Sequence, residues 1–141
     1  MAEYKRIEQY IGRYIADHYH NVVEVGVGQN FTAAALISQS GINVTCTDLM
    51  IQTPPAGVFF FTDDIFSPDT SLFADADLVY SIRPAEEMIP PMAALAGQLN
   101  CDLIVYHLGF EGYKDGGEII DCGVILHRYH KKSDGRGSEK R

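Results

Sequence analysis

Residues 21–30 read N-V-V-E-V-G-V-G-Q-N, a short β-branched run that passes directly into a glycine turn, and F-T-A-A-A-L-I-S-Q-S follows at 31–40. β-Branched side chains suit the pleated surface of a strand, whereas the alanines favour a helix. Gly26 and Gly28 allow a tight turn and let a ligand approach the backbone with no Cβ in the way. The helix start near Asn30 and Phe31 offers unpaired N–H groups and a positive dipole end to a carboxylate or phosphate. Strand, glycine turn and helix in this order predict an α/β fold whose ligand sits beyond the carboxyl ends of the strands.

The flanking sequence extends the pattern. Upstream, Tyr4, Ile7, Tyr10, Ile11, Tyr14, Ile15 and His18 recur at steps of three and four, which predicts an amphipathic helix over 2–19. Its tyrosines read as core rather than as a substrate platform, and His18 and His20 as residues of its last turn. Downstream, Gly41 caps the alanine-rich helix, and apolar runs predict strands at 42–47, 58–62, 77–82 and 102–108. Pro54 and Pro55 exclude a long helix between the second and third strands. A helix is expected over 85–99, starting or breaking near Pro90, and a terminal hairpin over 118–121 and 123–128. Near-continuously apolar strands alternating with helical segments predict a doubly wound, mostly parallel sheet with a C-terminal antiparallel hairpin and an N-terminal helix. The expected organisation is a single domain over 1–130, with a helix at 1–20, a sheet core at 21–130 and a basic, disordered tail at 131–141.

The chain has 141 residues, 46% of them apolar, and a net charge of −8. Its cations crowd the two ends: from Tyr14 to Tyr113 the one Lys or Arg is Arg83, set among many acids. Polyanion binding needs clustered cations to displace counterions, so direct nucleic-acid binding is not expected of this body. Binding to an anionic membrane surface is not expected for the same reason, and no apolar run approaches the ~20 residues of a span. Cys46, Cys101 and Cys122 form no C-x-x-C pair and read as small apolar residues of a reduced, cytoplasmic protein. The histidines have no metal-site spacing, and no metal is expected.

Asp48 lies twenty residues after Gly28, at the end of the predicted second strand, where a carboxylate can accept from both hydroxyls of a ribose. Two nucleoside cofactors share this layout. A dinucleotide fingerprint, G-x-G-x-x-G, would place its third glycine at Phe31, whose ring obstructs close helix–strand packing. The alternative, acid-x-Gly-x-Gly-x-Gly, finds Glu24, Gly26 and Gly28 in place, with Asn30, a residue tolerant of positive φ, at its last position.

On these residues the chain resembles the class I S-adenosylmethionine-dependent methyltransferases, whose first motif is that acidic, glycine-rich turn. More narrowly, V-E-V-G-V-G-Q-N-F at 23–31 and L-V-Y-S-I-R-P at 78–84 resemble a family of small, uncharacterised archaeal proteins built as a reduced methyltransferase domain; the likeness spans roughly residues 21–128. The resemblance implies S-adenosylmethionine as cofactor. Gly26, Gly28 and the amides up to Asn30 would surround its methionine part, with Glu24 orienting the loop. Asp48 would hold the ribose and Asp64 the adenine amino group, with Ile65 on the ring and Asp63 a weaker candidate. Ser81 and Arg83 would meet the methyl acceptor.

Each assignment has a competitor. Asp63 and Asp64 could be turn acids, and Arg83 could pair structurally with Asp48, Asp64 or Glu86 instead of gripping an anionic acceptor through its guanidinium fork. Ser81–Ile82–Arg83–Pro84 also departs from the Asp/Asn-Pro-Pro-aromatic run that holds exocyclic amines, which argues against base methylation. No acceptor domain is expected after the fifth strand. Three readings follow: a methyltransferase-like domain acting on a small or partner-delivered acceptor, a non-catalytic binding or scaffold module completed by a protein partner, and an NAD-binding regulatory domain.

Overall fold

A computed structural model of the protein describes residues 2–107 and 113–133. Chain order is α1 (Ala2–His18), β1 (Asn21–Val25), α2 (Thr32–Gln39), β2 (Asn43–Asp48), β3 (Phe59–Thr62), β4 (Leu78–Ile82), α3 (Ile89–Leu99), β5 (Asp102–Tyr106), β6 (Glu118–Asp121) and β7 (Ile125–His130). Short 3-10 turns at Thr70–Phe73 and Glu86–Met88 complete the set. The strands form one sheet in the order β3-β2-β1-β4-β5-β7-β6. The first five run parallel, β7 is antiparallel to β5, and β6 is antiparallel to β7. This is the doubly wound α/β sheet expected from the sequence, with its N-terminal helix and C-terminal hairpin.

Period-2 alternation along each strand sends side chains to two cores. On one face Ile11 and Ile15 of α1 and Ala34 and Ile37 of α2 pack on Val22, Val44, Leu78, Tyr80 and Ile104. On the other, Ile89, Met92, Leu95 and Ala96 of α3 pack on Val23, Val25, Val79, Leu103 and Val105. Fully burying an aliphatic side chain of this size stabilises by about 1.5–3 kcal/mol, so these contacts rather than helix propensity hold the short α2 and α3 in place.

The differences from expectation are local. Helix α3 begins at Ile89 with prolines in its first turn, where their missing N–H groups cost nothing, and residues 86–88 form a separate 3-10 turn. It ends at Asn100, which takes the left-handed conformation (φ 56°). The last strand starts at Ile125, because a turn around Gly123 (φ 105°) occupies 122–124. His20 lies beyond the end of α1, its amide held by Asp77, so only His18 belongs to the last turn. Strand β5 stops at Tyr106; Leu108, Gly109 and tail residues 134–141 lie outside the described residues. The tail's first residues are pinned: Lys132 N–H donates to Asp102 (2.6 Å) and Ser133 N–H to Asn100 (2.9 Å). Among the described residues no helix is long and apolar enough to cross a membrane, and no cluster of His, Cys, Asp or Glu could hold a metal.

Candidate functional site

Where β1 and β4 part from each other toward their neighbours, the carboxyl ends of the strands open into a cleft of about 250 Å³. Its walls include Gly26, Asp48, Asp63, Asp64, Ile65 and Arg83, with Leu49, Phe66 and Met88 at the sides. Loops separated by almost sixty residues in sequence are thus brought together by the parallel pairing of β2 with β1 and β3 and of β4 with β1.

The glycine turn is held to the neighbouring strand: Gly26 and Val27 donate to the Thr47 carbonyl (2.9 and 3.1 Å), and Gly28 N–H donates to the Asp48 carboxylate (2.8 Å). Gly26 and Gly28 have φ of 73° and 59°, a region costly for residues with a Cβ. A Cβ added at Gly28 would meet nothing within 4 Å, so open space lies over this backbone. Asp48 also accepts from Met50 N–H (3.2 Å), Asp63 from Asp69 N–H (3.0 Å) and Asp64 from Phe66 N–H (2.9 Å). A carboxylate has about four acceptor positions, so these turn bonds orient the acids and leave lone pairs for a ligand. Asp63 and Asp64 therefore serve their turn and line the cleft at once.

Four of the sequence candidates stand outside the cleft lining. Glu24 is fully buried on the α1–α2 face, where it accepts from Tyr80 Oη (2.8 Å). Burial pushes its carboxyl up to about 8, with Glu8 nearby adding to the rise and the Tyr80 bond opposing it. Gly28 is one step above the cleft, reaching it through Asp48. Asn30 does not adopt positive φ. Its side chain instead accepts from Thr32 N–H (3.1 Å) in an Asx turn leading into α2, whose N-cap is Phe31, and donates to Glu8 (3.0 Å), so it does not serve as a replacement glycine. Ser81 is buried and donates to the Val25 carbonyl (2.7 Å), tying β4 to β1.

Arg83 lines the cleft from a left-handed backbone (φ 57°) fixed by its N–H donating to the Tyr106 carbonyl (2.7 Å). A side-chain residue in that region stores of order 1–3 kcal/mol of strain. Its guanidinium lies over the Tyr106 ring (5.2 Å) and pairs with Glu8 of α1 (2.8 Å). Among the described acids it pairs with Glu8, and not with Asp48, Asp64 or Glu86.

Glu8 is the residue that sequence reasoning missed. It is 1% exposed; Oε2 takes both Arg83 and Asn30, while Oε1 is buried with no hydrogen-bond partner among the described residues. An acid on the inner face of an amphipathic helix, one step after Ile7 and three before Ile11, was the available signal. At the end of β5, His107 shares a short hydrogen bond with Tyr129 (2.5 Å), and its ring meets His127 edge to face. This group lies outside the cleft lining.

The sheet order and the glycine turn define the class: a Rossmann-like fold of the methyltransferase type. Solved structures agree at the level of fold. The CcbJ methyltransferase from Streptomyces caelestis superposes with a TM-score of 0.55 at 14% identity, over 70% of this chain and 50% of that one. The magnesium protoporphyrin IX methyltransferase ChlM from Synechocystis, solved with bound SAH, gives 0.53 at 16% identity over 80% and 58%. The chain therefore spans only half to three-fifths of those enzymes. A model of the uncharacterised protein family UPF0146 matches residues 7–115, and the chain belongs to that family. Relatives in it include proteins from Archaeoglobus fulgidus (32% identical, 67% of this chain and 74% of the relative) and Pyrococcus horikoshii (33%, 77% and 86%).

Proposed function

We propose that this chain binds S-adenosylmethionine at the carboxyl ends of β1, β2 and β3 and delivers its methyl group to a small acceptor or to one brought by a partner protein. The observation that carries the reading is the convergence of Gly26, Asp48, Asp64 and Ile65 on one cleft. When bound, the cofactor supplies an electrophilic methyl on a sulfonium.

The residues suit such a group. Asp48, with acceptor capacity left after Gly28 and Met50, takes the ribose hydroxyls. Asp64 takes the adenine amino group, and buried Ile65 gives the ring an apolar wall. The cleft is smaller than the roughly 300–1,000 Å³ of pockets that enclose a whole ligand, so it receives the nucleoside and leaves the methionine part over the open backbone at Gly28. Holding donor and acceptor in line supplies much of the acceleration in such a displacement, so a catalytic triad is not required. The strongly acidic body makes nucleic acid an unfavourable acceptor.

The non-catalytic reading has its own support: Ser81 spends its proton on Val25, and Arg83 is engaged by Glu8. A binding module that keeps the cofactor and lacks turnover fits these two bonds. Calorimetric titration with S-adenosylmethionine, S-adenosylhomocysteine and NAD tests the binding claim. The first two should bind and NAD should not; no heat with either sulfur nucleoside at millimolar concentration overturns it. Methyl transfer in a metabolite screen then excludes the non-catalytic reading.

A further inference from the structure

The two edges of the sheet are guarded differently. At one edge, β6 reads E-I-I-D, with acids at both ends and Glu118 paired to Arg128. Charges on an edge strand discourage pairing with another chain. At the other edge, β3 reads F-F-F-T, and no charged residue occurs from Leu49 through Thr62. Phe59 is 60% and Phe61 45% exposed. Both share the sheet face of Thr45 and Thr47, with which they are in register. Helix α3 covers that face over β4 and β5, not at β3. Leu49, Met50, Ile51 and Phe66 add exposed apolar side chains beyond the carboxyl end of the strand.

From this unguarded edge we infer that the chain forms a homodimer in which β3 pairs antiparallel with β3 of a second copy, about a two-fold axis at Phe60. The sequence is self-complementary in that register. Phe59 stands opposite Phe61 of the other copy and Phe61 opposite its Phe59, so four rings meet on the part of the face that α3 does not reach. Cross-strand aromatic pairs of this kind stabilise a sheet. Charge permits the same arrangement: β3 and the segment before it, residues 49–62, carry no charged side chain, so two copies of a chain carrying −8 bring no acids face to face across the paired strands. A cationic partner would find no carboxylate on the strand itself, whereas a neutral, aromatic copy of the same strand matches it. The pairing also closes the open row of backbone N–H and C=O groups along β3, as isologous dimers do.

Light scattering coupled to size exclusion, run on the full chain over a dilution series, is the test. Wild type should show twice the chain mass at high concentration, and F59K/F61K should halve it with an unchanged far-UV spectrum. In a Cys122→Ser background, a short bis-maleimide should link F59C to F61C in a mixture far more than either variant to itself. F59T/F61T, which retains strand preference, should also be monomeric and covers the case in which the lysines disturb folding. A wild-type chain that stays monomeric at every concentration overturns the inference, including one that gains mass only with a different protein. So does a dimer that survives both double variants, or one in which F59C links to itself as readily as to F61C. Cofactor binding by monomeric variants would leave the proposed function standing apart from this result.

Discussion

The two halves of the strand-end crescent use their polar groups in opposite ways. At the ends of β2 and β3, Asp48, Asp63 and Asp64 spend part of their acceptor capacity on backbone N–H groups of their own turns and face the cleft with the rest. At the end of β4, Ser81 has one proton and gives it to Val25, while Arg83 is drawn to Glu8 and Tyr106. A carboxylate keeps further acceptor positions after such bonds, whereas Ser81, having given its one proton, has only acceptor capacity left. The lesson is that the β2–β3 side keeps acceptor capacity facing the cleft, and the β4 side holds α1 and β1 in place.

The sharpest way to break this comparison is at Glu8. Removing one partner of a buried ion pair costs about 3–5 kcal/mol, so Glu8→Ala should lower unfolding stability by that order in denaturant melts, and Glu8→Gln by less. Should Glu8→Ala melt like wild type, α1 is not held through Arg83. Asp48→Ala should come next: loss of hydrogen bonds to a charged group worth roughly 1.5–3 kcal/mol weakens S-adenosylmethionine about 10- to 150-fold by calorimetry. Equal affinity would move the ribose elsewhere.

Glu24 supplies a pH test. Its carboxyl is ordinary in the unfolded chain and raised to about 8 in the fold by burial. The folded state therefore holds a proton that the unfolded state releases from around pH 4.5 upward, and stability falls as pH rises from there through 8. Glu24→Gln should flatten that decline, and its advantage over wild type should grow toward alkaline pH in thermal melts. A decline of equal slope in both proteins would mean that Glu24 is already ionised in the fold. The smallest effect belongs to Ser81→Ala, which should cost about 1 kcal/mol of stability and leave cofactor affinity unchanged; weaker binding would return Ser81 to the ligand site.

Much of this fold was legible because its strands announce themselves. N-V-V-E-V, D-L-I-V-Y and L-V-Y-S-I are apolar, β-branched and bounded by turn residues, and two prolines exclude a helix between β2 and β3. The cleft acids were legible for a related reason, since a parallel sheet puts every strand's carboxyl end on one side. What could not be read was which group each polar side chain would choose. Glu8 looks like one more charge on an amphipathic helix until α1 docks and buries it beside Asn30 and Arg83. Asn30 suits positive φ by type, yet its amide is taken by an Asx turn to Thr32 and by Glu8. The Glu8 contacts join residues 22 and 75 apart, and no local pattern encodes them.

The central claim is that the cleft is a cofactor site, and amide-resolved NMR titration of the labelled chain addresses it residue by residue. Shifts concentrated at Gly26, Gly28, Asp48, Asp64 and Ile65 with S-adenosylmethionine and S-adenosylhomocysteine, and not with NAD, are the predicted result. Silence at those amides with both sulfur nucleosides, or an equal response to NAD, would contradict it.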